Sequence, residues 1–202
     1  CKELGIKKSK EDDFLTEDDI IMLDNELDAR KENLNPDYEL DEEAIKDHSK
    51  RLYDLYLNVS NNAKFNTFLL PENHFYGLKA ELKEAFKVYG YFLNGELVGF
   101  YTLILNGSHL ETYFLGYDIQ HQYPNQLYLN MLYDMAKFAI ENKFENVIYA
   151  RTAMEIKSSV GAIPKPMVIY LKHTNTFINR ILKLLFKFMD PTQNWEQRHP
   201  FK

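Results

Sequence analysis

The chain has 202 residues, 45% of them hydrophobic, enough for one full domain with a sizeable core and too apolar for global disorder. Its 24 Lys and Arg stand against 30 Asp and Glu, and this net charge of -6 argues against a surface built to grip a nucleic-acid backbone. The single cysteine, Cys1, rules out an internal disulfide and fits a reducing, cytoplasmic setting, and no apolar run approaches the ~20 residues of a membrane span.

The first residue is Cys1 rather than Met, which reads as a fragment or a processed form, with no signal peptide in view. Residues 1–62 are charged and helical in pattern. Thr16 with Asp19 three residues on resembles a capping box ahead of Ile20, Ile21, Leu23 and Leu27. Asn35-Pro36 breaks that pattern. Asp41 then starts a second helix carrying Ile45, Leu52, Leu55, Tyr56 and Val59 at helical spacing. After a connection containing Pro71 and Asn73, a third helix carries Leu78, Leu82, Ala85 and Phe86.

Strands follow over Val88–Leu93, Leu97–Leu105 and His109–Leu115, separated by Asn94-Gly95 and Asn106-Gly107. Asn-Gly between β-rich runs is a strong hairpin signal, because both turn residues take positive φ, so an antiparallel meander of three strands is predicted. Gly116 at the meander's end marks a bulge or a close backbone approach. Pro124-Asn125 leads into a long helix from Gln126 to Glu141. Its polar face is Asn130, Asp134, Lys137 and Glu141; its apolar face is Met131, Leu132, Met135, Ala136, Ala139 and Ile140. A strand over Asn146–Ala150, a short helix over Met154–Val160 closed by Gly161, and a last strand over Met167–Leu171 complete the order.

The tail over 175–189 is helical and very apolar, with Arg180, Lys183 and Lys187 on one face. Such a helix suits an anionic membrane surface, while packing on its own domain or on a partner is the plainer use. The domain reading is a charged helical segment over 1–62, a mixed domain over 63–173 whose first helix can begin near 44, and a helix and tail over 174–202. His109 and His121 lack partners at ligand spacing, so no metal site is read. No serine nucleophile elbow and no phosphate-binding glycine loop is present.

This element order resembles the GNAT acyltransferase fold, an α/β (α+β) architecture with a mixed central sheet, an antiparallel meander and flanking helices. The resemblance covers roughly Leu52 to His173 and is nearest to the Fem-like branch, which includes aminoacyltransferases of peptidoglycan biosynthesis. Its residues are Asn94 to Phe100 at the first hairpin, Tyr117-Asp118 at the third strand's end, Asn125 to Leu132 opening the long helix, and the block Arg151-Thr152-Ala153-Met154-Glu155-Ile156-Lys157-Ser158-Ser159-Val160-Gly161-Ala162. The resemblance implies that the meander's last strand splays from the next strand and that a pantetheine arm pairs with the backbone so exposed. It implies a carbonyl oxygen held by backbone N–H donors and a diphosphate on the N-terminus of the long helix. The family's glycine loop would fall at Gln120 to Gln126, where this chain has no glycine. Fem-like enzymes, some of which draw on aminoacyl-tRNA, are usually built from two such domains, and this chain holds roughly one plus a helical segment.

The activity implied is transfer of an acyl group, acetyl first of all, from a CoA thioester to a small-molecule or peptide amine. The alternatives are a Fem-like aminoacyl transfer onto a cell-wall precursor, with tRNA as partner, or a non-catalytic module that kept the fold. Amine acylation calls for a base, and Glu111, Asp118 and Glu155 are the candidates, each also readable as a solvated residue or a helix cap. The resemblance places Lys157 at the reacting carboxyl end, where a cation stabilises developing negative charge; the plain alternative is an exposed helix lysine. Arg151 and Thr152 could bind a carboxylate or phosphate, with Tyr123, Asn125 and Gln126 completing the donor contacts. Tyr113, Tyr117 and Tyr128 join Glu111 as substrate-contacting candidates, one phenol serving as acid to the leaving thiolate. A cytoplasmic enzyme, peripheral to the inner membrane if the tail helix binds lipid, is the resulting expectation.

Overall fold

A computed structural model describes residues 35–62, 68–150, 152–168, 170, 172–189 and 195–200. The elements are β1 (Asn35–Glu39), α1 (Glu42–Asp47), α2 (Ser49–Asn61), α3 (His74–Leu82), β2 (Phe86–Leu93), β3 (Glu96–Asn106), β4 (His109–Tyr117), α4 (Ile119–Gln122), α5 (Leu127–Glu141), β5 (Asn146–Ile148), α6 (Met154–Ser158) and α7 (Thr176–Met189). The five strands form one sheet in the order β1-β2-β3-β4-β5. The first three pairings are antiparallel and β4 with β5 is parallel. The helix expected around Thr16 and Ile20 lies outside the described residues.

Two cores sandwich the sheet. On one face Ile45, Leu52, Leu55 and Phe75 of α1–α3 pack against Phe86, Val88, Leu97 and Phe100. On the other, Leu127, Met131, Met135 and Ala139 of α5 pack against Tyr91, Val98, Tyr101, Leu103 and Leu110. Burying each of the Leu, Ile, Val, Phe and Met side chains among them contributes about 1.5–3 kcal/mol. Asp41 caps α1 as the sequence predicts, its carboxylate accepting from the Ala44 N–H at 2.8 Å, with Glu42 and Glu43 in the favourable first turn. The single helix expected from Asp41 is instead two, broken at His48, whose ring meets Phe92 edge-on.

Both hairpins form. Leu93 pairs with Glu96 around Asn94 and Gly95, both at positive φ. In the second, Asn106 pairs with His109, so the turn residues are Gly107 and Ser108 with only Gly107 at positive φ, a glycine-first turn rather than the expected Asn-Gly one.

Four further expectations are corrected. Asn35-Pro36 does not merely interrupt helices but opens β1, and a sheet edge is where a residue without an N–H is tolerated. Phe86 starts β2 rather than ending a helix, because Lys83 at φ 51 terminates α3. Met167, Val168 and Tyr170 are exposed and in no strand; β5, three residues long, offers little edge to pair with. Asn130 and Asp134, expected on the polar face of α5, are buried: Asp134 accepts from the Tyr91 hydroxyl and Asn130 donates to the Asn125 carbonyl at 2.9 Å. α7 forms as expected, with Phe177, Ile181, Leu184 and Leu185 exposed.

β4 carries a bulge. Its pairing with β3 shifts register between Tyr101↔Leu115 and Leu103↔Thr112, so Tyr113 and Phe114 together oppose Thr102. Thr102, fully buried, pins the bulge: its Oγ1 donates to the Phe114 carbonyl at 2.7 Å and accepts from the Phe114 N–H at 2.9 Å. Thr102→Val keeps the shape and strands both backbone groups, so it is expected to destabilise the fold by about 2–3 kcal/mol, read by urea unfolding. An unchanged midpoint would show that the bulge holds without the hydroxyl.

Candidate active site

The bulge lies where the sheet opens. β4 pairs with β3 along its length, from His109 to Tyr117. It pairs with β5 only from His109↔Asn146 to Glu111↔Ile148. The Thr112 hydroxyl donates to the Ile148 carbonyl at 3.2 Å as the last tie, and Tyr113–Tyr117 run on without a β5 partner. The result is a notch with strand edge on one wall and, on the other, the chain leaving β5 through Tyr149 and Ala150.

On the α5 side of the sheet, three phenols and one amine lie among the residues that follow the paired part of β4 and β5. Tyr117 and Tyr128 meet edge to face at 6.3 Å, and the Tyr149 hydroxyl donates to the Leu132 carbonyl at 2.8 Å. Burial pushes all three hydroxyls above the ordinary tyrosine value, with Tyr123 adding to the effect at Tyr117, Tyr117 at Tyr128, and Tyr128 and Tyr133 at Tyr149. They therefore stay protonated and can donate. Lys157 is buried in α6, its ammonium donating to the Ala150 carbonyl. Desolvation lowers this amine to about 8. The following turn closes on it, with the Ala162 N–H donating to the Lys157 carbonyl at 3.2 Å and Gly161 at φ 81. The plain alternative of an exposed helix lysine is thus set aside.

On the opposite face of β4, Tyr113 stacks on His74 with ring centroids 5.9 Å apart, its hydroxyl 3.1 Å from His74 Nε2. Glu111, at the closed end of the notch, accepts from the Asn106 amide at 2.6 Å.

Other candidates are otherwise engaged. Asp118 caps α4 by accepting from the Gln120 N–H at 3.0 Å, and pairs with Arg51 at 3.2 Å. Burial raises its carboxyl, but the Gln120 N–H and Arg51 outweigh that and hold it below the usual range, which makes it a poor base. Glu155 pairs with Arg198 at 2.8 Å, and Arg198 also holds the Ser158 and Ser159 hydroxyls. Residues 197–198 are thereby strapped across α6, with Gln197 donating to the Ala162 carbonyl at 3.1 Å. Tyr123 is 84% exposed and Thr152 is exposed; Arg151 lies outside the described residues. The Asn125 amide turns inward to the His121 carbonyl at 3.2 Å, and Gln126 caps α5 at φ 46. Gln122, a residue not singled out from sequence, accepts from the Tyr128 N–H at 3.0 Å and so occupies a first-turn donor of α5. Tyr149 and His74 were also missed; a tyrosine after a short strand and a histidine opening a helix carry no local signal of their neighbours. Among the described residues no group of three or more His, Cys, Asp or Glu could hold a metal.

No family model matches the chain, and no curated protein matches it. Solved structures do. An aminoglycoside acetyltransferase from an uncultured soil metagenomic sample, crystallised with sisomicin, aligns at a TM-score of 0.52 and 17% identity over 71% of this chain and 97% of its own. The same protein with trehalose aligns at 0.52 and 18%, over the same shares. The strand order, the parallel β4–β5 pairing and these alignments define a GNAT-like fold. The agreement is with that fold at large; the neighbours are aminoglycoside acetyltransferases and not Fem-like enzymes.

Proposed function

We propose that this chain transfers an acyl group, acetyl first of all, from a CoA thioester to the amine of a small molecule. The parting of β4 from β5 after Glu111 and Ile148 is the observation that carries the reading. An extended donor arm gains hydrogen bonds by adding to the strand edge there, and the thioester carbonyl then lies among proton donors. The amine nitrogen attacks the carbonyl carbon, a C–N bond forms and the C–S bond breaks. Lys157, as its ammonium, stabilises the oxyanion, the nitrogen sheds its surplus proton, and Tyr117 protonates the leaving thiolate and is reprotonated from water. The neighbour crystallised with sisomicin, an amine-bearing ligand, supports a small-molecule acceptor. Isothermal calorimetry with acetyl-CoA is expected to show saturable binding, and thiol release to appear with amines in the assay. Absence of heat with acetyl-, propionyl- and succinyl-CoA alike would remove the donor.

Gln122 favours a second reading, in which the donor is gripped by its acyl end, as an aminoacyl ester would be. Gln122→Ala frees the Tyr128 N–H for a diphosphate, so CoA affinity rising at least about threefold in that variant supports the thioester donor. An unchanged affinity turns the reading toward the ester.

A further inference from the structure

The two faces of the sheet carry different chemistry beside the end of the β4–β5 pairing. Tyr117, Tyr128, Tyr149 and Lys157 lie with α5 and α6, while Tyr113 and His74 lie with α3. Tyr113 is the second residue past Glu111, the last that β5 pairs. The bulge sends both Tyr113 and Phe114 into the α1–α3 layer, where Phe114 and Phe75 meet the His74 ring edge-on at 6.2 and 5.5 Å. These contacts, with Phe86 meeting Tyr113 edge-on at 6.4 Å, fix a hydroxyl–imidazole pair in the α1–α3 layer just past the last β4–β5 pairing, and both residues are only half-buried.

On the acyltransferase reading, we propose that the acceptor amine enters on the α3 face and that the Tyr113 hydroxyl and His74 Nε2 together take its proton. With a proton on Nδ1, Nε2 accepts from Tyr113. As the amine nitrogen bonds to the carbonyl carbon, its surplus proton moves to Tyr113 Oη while Tyr113 passes its own to Nε2. The imidazolium so formed later releases that proton to water, and the thiolate leaves on the other face. Tyr113 touches substrate; His74 acts through it. The groups around the pair are Glu111 on β4, Tyr56 on α2 and Glu72 just before α3. Burial alone lowers the His74 imidazolium, and burial followed by Tyr56 raises Tyr113, so at neutral pH the pair is imidazole and phenol, the state a relay needs.

The test is the pH dependence of kcat/KM for thiol release, with histidine titrations followed by NMR. The parent is expected to lose activity as the medium is acidified through the His74 midpoint, itself below the ordinary histidine value. His74→Gln should lower kcat by about 100-fold, abolish that acid limb, and leave the donor dissociation constant unchanged. Tyr113→Phe, which removes one oxygen and keeps the ring, should do the same and guards against a folding defect in the first variant. An active parent whose acid limb and kcat survive both changes overturns the relay and leaves the acyltransferase reading intact. A parent that releases no thiol with any donor overturns both.

Discussion

On the proposed acyl transfer, replacing Lys157 by Met is expected to lower kcat/KM by about 100- to 1,000-fold, the usual effect of removing one group that stabilises an oxyanion in a site shielded from water. Methionine keeps the volume and the unbranched stem, so the loss reads out the charge. The sign of the pH dependence follows from burial. Desolvation brings the amine to about 8, so the ammonium persists below that value and is lost as pH rises through it. The parent's rate therefore falls on the alkaline side near pH 8, and the Met variant lacks that limb. Stability moves the other way. Between about 8 and the ordinary lysine value the unfolded chain holds a proton that the folded chain has given up, so stability rises with pH across that window. Below it the folded state bears the whole cost of a desolvated ammonium, on the order of 3 kcal/mol, partly offset by the bond to Ala150. Lys157→Met is accordingly expected to be more stable than the parent at pH 7, with the gain fading above about pH 10. A variant less stable at pH 7 and fully active would show Lys157 to be a structural residue only.

Lys157 was singled out through a resemblance and not through any pattern of its own. The block from Arg151 to Ala162 carries a lysine ahead of a glycine by resemblance, and the chain buries that lysine where an ordinary surface helix would expose it. The hairpins were legible because Asn94-Gly95 and Gly107 are local instructions to the backbone. Asp41 was legible for the same reason. What escaped was non-local. β1 is a strand because β2 offers it an edge, and nothing between Asn35 and Glu39 announces that. Asn130 and Asp134 look like a solvated face until Tyr91, some forty residues earlier, arrives to meet the carboxylate. The pairing of His74 with Tyr113 depends on a bulge, which is set by Thr102 on the neighbouring strand and not by β4 itself. Asp118 and Glu155 were sensible bases by residue type, but Arg51 and Arg198 reach them from distant parts of the chain.

Gly116→Ala is expected to be the most damaging single methyl in the sheet. Sequence offered a bulge or a close backbone approach here; the bulge falls instead at Tyr113 and Phe114, and the structure supplies the object approached. A Cβ on Gly116 would stand 2.5 Å from the Leu55 carbonyl carbon, 2.5 Å from the Tyr56 nitrogen and 2.6 Å from Phe100 Cε1. Two of the three are helix backbone, which cannot swing aside as a side chain does, so α2 must lift off β4. Lifting it strains the Asn58 amide bond to the Tyr117 carbonyl at 3.2 Å, the Arg51 bond to the Leu97 carbonyl at 2.8 Å and the Arg51–Asp118 pair. These ties hold the end of β4 that forms the notch wall. Overpacking against backbone costs about 3 kcal/mol or more, against about 1 kcal/mol for a contact that a side chain can relieve. Gly99→Ala is the internal comparison: its Cβ meets Met131 Cε at 2.7 Å, the far end of a flexible chain. Urea unfolding of the two variants beside the parent should separate them by about 2 kcal/mol, with Gly116→Ala the weaker. Were Gly116→Ala to unfold with the parent, α2 would not be seated on β4 as described, and Tyr117 would lose the support that aims it into the gap.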